Sequence, residues 1–191
     1  MIKTLFNPFE RYSEIALFAF GMLMALAGAY AAYYFDSRFD GVIDYSVTLG
    51  TTLPQALLDN AINTLSLFIF VFILAKFVNR KTRIIDILNT ALISRIPFYI
   101  LPFFNAAHTL SDVESRVMKS YPTTPDFSIL EISVLMGVAF AAIGAIVWFI
   151  VLIYNGFKVA SNSKENIHKL YLAIAVIAAE VLSKILIYIT A

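Results

Sequence analysis

From Ile132 to Tyr154 the chain runs for 23 residues without a charged side chain, and from Ile15 to Phe35 it does so for 21. A helix needs about 20 apolar residues to cross the hydrocarbon of a bilayer. Runs of this length therefore point to an integral membrane protein. Composition agrees, because 60% of the chain is hydrophobic and 14% charged, whereas soluble domains lie near 45–50% and 25%. The net charge of +1 supplies no field that would draw nucleic acid. The absence of cysteine removes disulfides, thiolate metal sites and cysteine nucleophiles.

Residues 1–14 form a short amphipathic lead with Lys3, Arg11 and the run Asn7-Pro8-Phe9. The first span covers 15–35. A signal peptide is the competing reading, since Ala27 to Ala32 is rich in small residues; the apolar run is longer than such a segment needs. Residues 36–50 read as a loop with three acids and one base. Thr52, Pro54 and Gln55 then predict a capped helix start, and a second span over 53–78. In that span Asp59, Asn63 and Ser66 share one face. Residues 105–127 read as the longest polar connection. Ser128 and Glu131 predict a capping box opening a fourth span, 129–156, closed by Asn155-Gly156-Phe157-Lys158. Asn162 and Glu165 read as the opening of the last helix, with its span at 167–189.

The third segment, 84–104, carries both Asp86 and Arg95. Each costs up to about 2.5–3.5 kcal/mol at a helix centre, against roughly 0.3–0.6 recovered for each Leu, Ile or Phe. The 12 such residues in it offset the two charges only approximately, so insertion calls for help from neighbouring helices. Pro97 and Pro102 each remove a helical hydrogen bond and are expected to kink or break this segment. Counting Lys and Arg outside the spans decides whether it crosses. With five spans and the N-terminus inside, the cytoplasmic side holds nine and the other side three. With four spans the count falls to eight against four. Basic residues favour the cytoplasmic side. The expectation is an all-α polytopic bundle of five transmembrane helices, residues 15–190, with the N-terminus inside and the C-terminus outside.

The lead with Asn7-Pro8-Phe9, the five spans, the polar third span of the form Asp86…Arg95-x-Pro97, and Asn155-Gly156-Phe157-Lys158 at the end of the fourth together resemble the bacterial branch of the Yip1 family. The likeness covers nearly the whole chain. It implies a five-helix integral membrane protein of a bacterial cytoplasmic (inner) membrane, with no established activity. Eukaryotic members are associated with vesicle transport and Rab-type small GTPases. They carry a long cytoplasmic N-terminal region and a D-L-Y-G-P signature that this chain lacks, so a small GTPase partner is not carried over.

No nucleotide loop, metal-ligand spacing or hydrolase elbow is visible, so no catalytic residue, metal or cofactor is expected. His108 and His168 read as solvated loop residues. The sharp signals are charges within the spans, which are costly and so mark candidate sites. Lys76 and Asp86 flank the basic turn of Lys76, Arg80, Lys81 and Arg83, and are placed to close a helical hairpin. Arg95 and Glu180 both fall at mid-depth and are expected to pair, directly or through one polar group or water. Lys184 lies one turn beyond Glu180, toward Asp59 and Asn63. Two functions follow as expectations. One is a non-catalytic structural or interaction role with the lipid bilayer and other membrane proteins. The other is a small transporter or channel using these charges.

Overall fold

The computed structural model describes residues 2–121, 123 and 125–190. Among the described residues the fold is all-α apart from one short strand pair. A five-residue helix α1 (Ile2–Phe6) and a 3-10 turn (Pro8–Glu10) lead into α2 (Glu14–Tyr34). The strands β1 (Ser37–Arg38) and β2 (Ser46–Val47) pair antiparallel in the next loop, with Ser37 opposite Val47 and Arg38 opposite Ser46. Then come α3 (Leu53–Val78), α4 (Ile84–Ser94), a 3-10 helix (Ile96–Asn105), α5 (Thr109–Ser120), α6 (Ile129–Ser161) and α7 (Ile167–Thr190). Among the described residues five helices are long and apolar enough to cross a membrane: α2, α3, the composite α4–3-10 helix, α6 and α7.

Local chemistry sets several of the ends. Ser13 caps α2 by accepting from the Ala16 amide, which satisfies one of the orphan donors of the first turn. Thr52 with Gln55 and Ser128 with Glu131 both form complete capping boxes. The α-helical winding of the third span stops at Ser94, and 3-10 winding continues to Asn105. Pro97 offers no N–H for an α-type bond, and the residue before a proline disfavours α geometry. The Phe98 amide instead donates to the Arg95 carbonyl at 3.1 Å, three residues back. A 3-10 helix rises about 2.0 Å per residue, so its ten residues reach farther than an α-helix of equal length.

The composite helix is the centre of the bundle. In its most apolar stretch 67% of residues are buried, against 22–33% in the other four. It packs against α2, α3 and α6, while α7 lies along α3. The exposed surface of the other four is rich in large apolar side chains such as Leu23, Ile73, Phe140 and Ile177. Contiguous apolar surface of this extent suits lipid, not water.

Three sequence readings are corrected here. α6 does not stop at the Asn155-Gly156-Phe157-Lys158 run; it continues to Ser161 and ends on Asn162, in the left-handed conformation at φ 52°. Gly156 is buried within α6, where a Cβ would meet Thr90 side-chain atoms at 2.5 Å. The glycine is there for close approach to α4, not for termination. The last helix opens at Ile167, not at Asn162. His168 therefore sits in its first turn and bonds Ser163 Oγ through Nδ1 at 2.8 Å. The 105–127 connection also contains α5, which the polar composition hid.

Candidate functional site

The charged interior is organised by Arg95, the residue at which α4 gives way to 3-10 winding. Its side chain is fully buried. Nη1 donates to the Asn60 carbonyl (3.0 Å), to Asn60 Oδ1 (2.5 Å) and to Thr64 Oγ1 (3.0 Å). The rings of Phe39 and Tyr99 lie 5.8 and 5.9 Å from the guanidinium carbon, within cation–π range. Among the described residues Nε and Nη2 have no hydrogen-bond partner.

Asn60, on α3, is the hub of this cluster. Besides receiving Arg95, its Oδ1 accepts from Tyr99 Oη at 3.2 Å, and its Nδ2 donates to the Ala25 carbonyl of α2 at 2.7 Å. One amide thus ties α2, α3 and both halves of the third span. Asn60 stands in the polar outer half of α3 with Asp59, Asn63, Thr64 and Ser66, so the sequence alone does not single it out. Which of these polar groups meets Arg95 is visible only once the faces are known.

Residues 36–50 do not lie flat over the helix ends. The strand pair holds a tip that enters the bundle, burying Phe39 and Val42. Three contacts fix it. Arg38 donates to Asp59 through Nε (2.7 Å) and through Nη2 (2.9 Å), a two-pronged pair that is almost entirely buried at Asp59. Hydrogen bonding to Asp59 raises the Arg38 pKa further above its ordinary value. Asn63 Nδ2 donates to the Phe39 carbonyl at 2.6 Å. Glu180 Oε2, on α7, accepts the Ile43 amide at 3.0 Å. Gly41 rests so close to the Glu180 carboxylate that a Cβ there would require the carboxylate to shift. Lys184 completes the arrangement, 2.6 Å from Asp44 and 3.3 Å from Glu180.

Of the pairing expected between Arg95 and Glu180, direct or through one polar group or water, no direct bond is made among the described residues. Each has found another environment: Glu180 the loop amide and Lys184, Arg95 the α3 amide cluster. Lys76 and Asp86 do not meet either. Lys76 Nζ donates to the Arg80 carbonyl at 3.0 Å, and Asp86 accepts from Arg83 at 3.0 and 2.8 Å. Asp59, Asn63, Glu180 and Lys184 all gather on the inserted loop, while Asp86 and Lys76 lie at the opposite end of their helices. Pro97 and Pro102 are buried in the 3-10 segment just beyond Arg95.

No protein-family model matches the chain, and neither a curated protein nor a solved structure does.

Proposed function

We propose that this is a non-catalytic multi-pass membrane protein of Yip1 type, in a bacterial cytoplasmic membrane, that acts by interaction with other membrane proteins or lipids. The supporting observation is the way its charges are spent on the fold. Arg38–Asp59, Lys184–Asp44 and Glu180 with the Ile43 amide all bind the loop into the bundle. Arg95 beneath is fully enclosed. A site working on a solute needs groups free to meet it, whereas these groups meet each other. Cross-linking in the native membrane followed by affinity purification tests this reading, with one or a few membrane proteins recovered at constant ratio as the expected outcome. A purified chain that alone moves a solute across proteoliposomes overturns it.

One observation favours the transporter reading as second choice. Among the described residues Arg95 keeps two N–H-bearing nitrogens without partners in a closed interior, where an unpaired donor is costly. In that reading the loop is a gate and Arg95 the anion contact. Anion flux in proteoliposomes that is lost in Arg95→Gln would establish it.

A further inference from the structure

α6 and α7 are joined by the short connection 162–166, yet they part at once. α7 packs along α3, while α6 packs along α4 and the 3-10 helix, so a furrow opens between the two consecutive helices with α3 behind it. At the end of the bundle away from the inserted loop, Lys169 of α7 reaches across this furrow. Its Nζ lies 5.6 Å from the centre of the Tyr154 ring of α6. Lys158 stands one turn beyond Tyr154 on the same face of α6. Ile150, Val147 and Ile143 continue that face toward the other leaflet, and all three are exposed. We propose that this end of the furrow is a docking site for an anionic phospholipid. The phosphate sits between Lys158 and Lys169, and an acyl chain lies along the apolar strip of α6.

Charge balance sets the sign of the ligand. Lys158, Lys164 and Lys169 are exposed, and among the described residues none of them is ion-paired. The only acid between residues 158 and 169 is Glu165, whose carboxylate lies 3.9 Å from His168. Elsewhere Arg38, Arg83, Arg116 and Lys184 are each matched by a carboxylate. This corner is therefore basic without an internal partner. An ammonium carries three donors, so a ring on one side of Lys169 leaves N–H groups for phosphate oxygens. Depth agrees, because Tyr and Lys at the end of a span lie at headgroup level. Basic clusters at that level attract anionic lipid. Phosphatidylcholine also has a phosphate, but its own trimethylammonium is repelled by the same lysines.

The site deepens the lipid-interaction reading proposed above and rests on it. The full chain is placed in nanodiscs of mixed phosphatidylcholine and phosphatidylglycerol, and the lipid retained by the protein is read by native mass spectrometry. Each lysine near an anionic headgroup contributes about fivefold, so the pair predicts phosphatidylglycerol retained roughly twentyfold over phosphatidylcholine. Lys158→Gln together with Lys169→Gln should reduce that ratio to about fivefold or less, the share left to Lys164. Lys81→Gln removes a charge from the same end of the bundle, at the α3–α4 turn, and should leave the ratio unchanged. If Lys81→Gln lowers the ratio as much as Lys158→Gln does alone, the attraction is spread over the surface and the docking site is overturned. Equal retention of the two lipids by a chain that enters the discs also overturns it, and leaves the membrane reading standing. A chain that does not enter the discs at all overturns both.

Discussion

The two charged residues of the central span stand nine positions apart and meet opposite fates. Asp86, near the start of α4, pairs with Arg83, whose side chain is 61% exposed. Arg95, at the end of α4, is sealed among Asn60, Thr64, Phe39 and Tyr99. Ion pairs open to water gain little, because solvent screens them and two side chains lose freedom. A buried charge is governed by desolvation and by the quality of its partners. One charged residue therefore marks a soft end and the other a hard end of a single helix. The hard end is also where a connecting loop has been drawn into the core.

Impermeant labelling gives the largest contrast between the ends. The chain has no cysteine of its own, so single cysteines at the exposed positions Lys81 and Leu49 can be compared directly. In intact cells Leu49→Cys should react with a membrane-impermeant maleimide and Lys81→Cys should not. The reverse result overturns the proposed orientation.

At the hard end, Asp59→Ala strands Arg38, whose side chain is only 13% exposed, and should cost about 3–5 kcal/mol in unfolding free energy. A loss under about 1 kcal/mol, the level of an exposed pair, would show that the loop is not held as described. Between the ends, Gly156→Val forces a branched side chain onto Thr90 and should cost roughly 1–3 kcal/mol by overpacking. An unchanged melting temperature would mean that α4 and α6 are not in contact there. A double-mutant cycle on Arg95→Leu and Glu180→Leu should give a coupling at the low end of the roughly 0.5–3 kcal/mol range of interacting sites. Coupling well above that would restore the pairing, direct or through one polar group or water, that equal depth along the spans suggested. At the soft end, Asp86→Asn should leave the melting temperature where it is; a clear drop would show that its pair with Arg83 is a structural support.

The apolar helices were legible because an uncharged run of lipid length has little use outside a bilayer, and because capping chemistry is local: Thr52 with Gln55 and Ser128 with Glu131 lie three residues apart. What escaped sequence reading was non-local. Depth along a span placed Arg95 and Glu180 at one level, but depth says nothing about rotation around the helix, and rotation gave Arg95 to Asn60. Gly156 reads as a stop in sequence; only the approach of Thr90 shows it to be a contact. α5 was hidden because it sits in a polar segment, yet Asn105 holds its start, accepting from the Leu110 and Ser111 amides at 3.1 and 3.2 Å. The inserted loop carried a signal that charge counting overlooked, namely the apolar residues Phe39, Val42 and Ile43 among its acids.

The hydrogen bond from Ile43 to Glu180 joins groups 137 positions apart, and this bears on how the molecule is made. A ribosome delivers the first loop long before it delivers α7. Until the last helix arrives, the Ile43 amide lacks its carboxylate and Asp44 lacks Lys184. The loop tip can take its α3 contacts, Arg38 with Asp59 and Phe39 with Asn63, once that span is made, but its Ile43 and Asp44 contacts wait through the synthesis of three further spans. Docking of α7 thus completes the seating of the loop. A chain arrested before α7 would display a half-seated first loop, a visible mark of incompleteness for any protease that surveys the membrane.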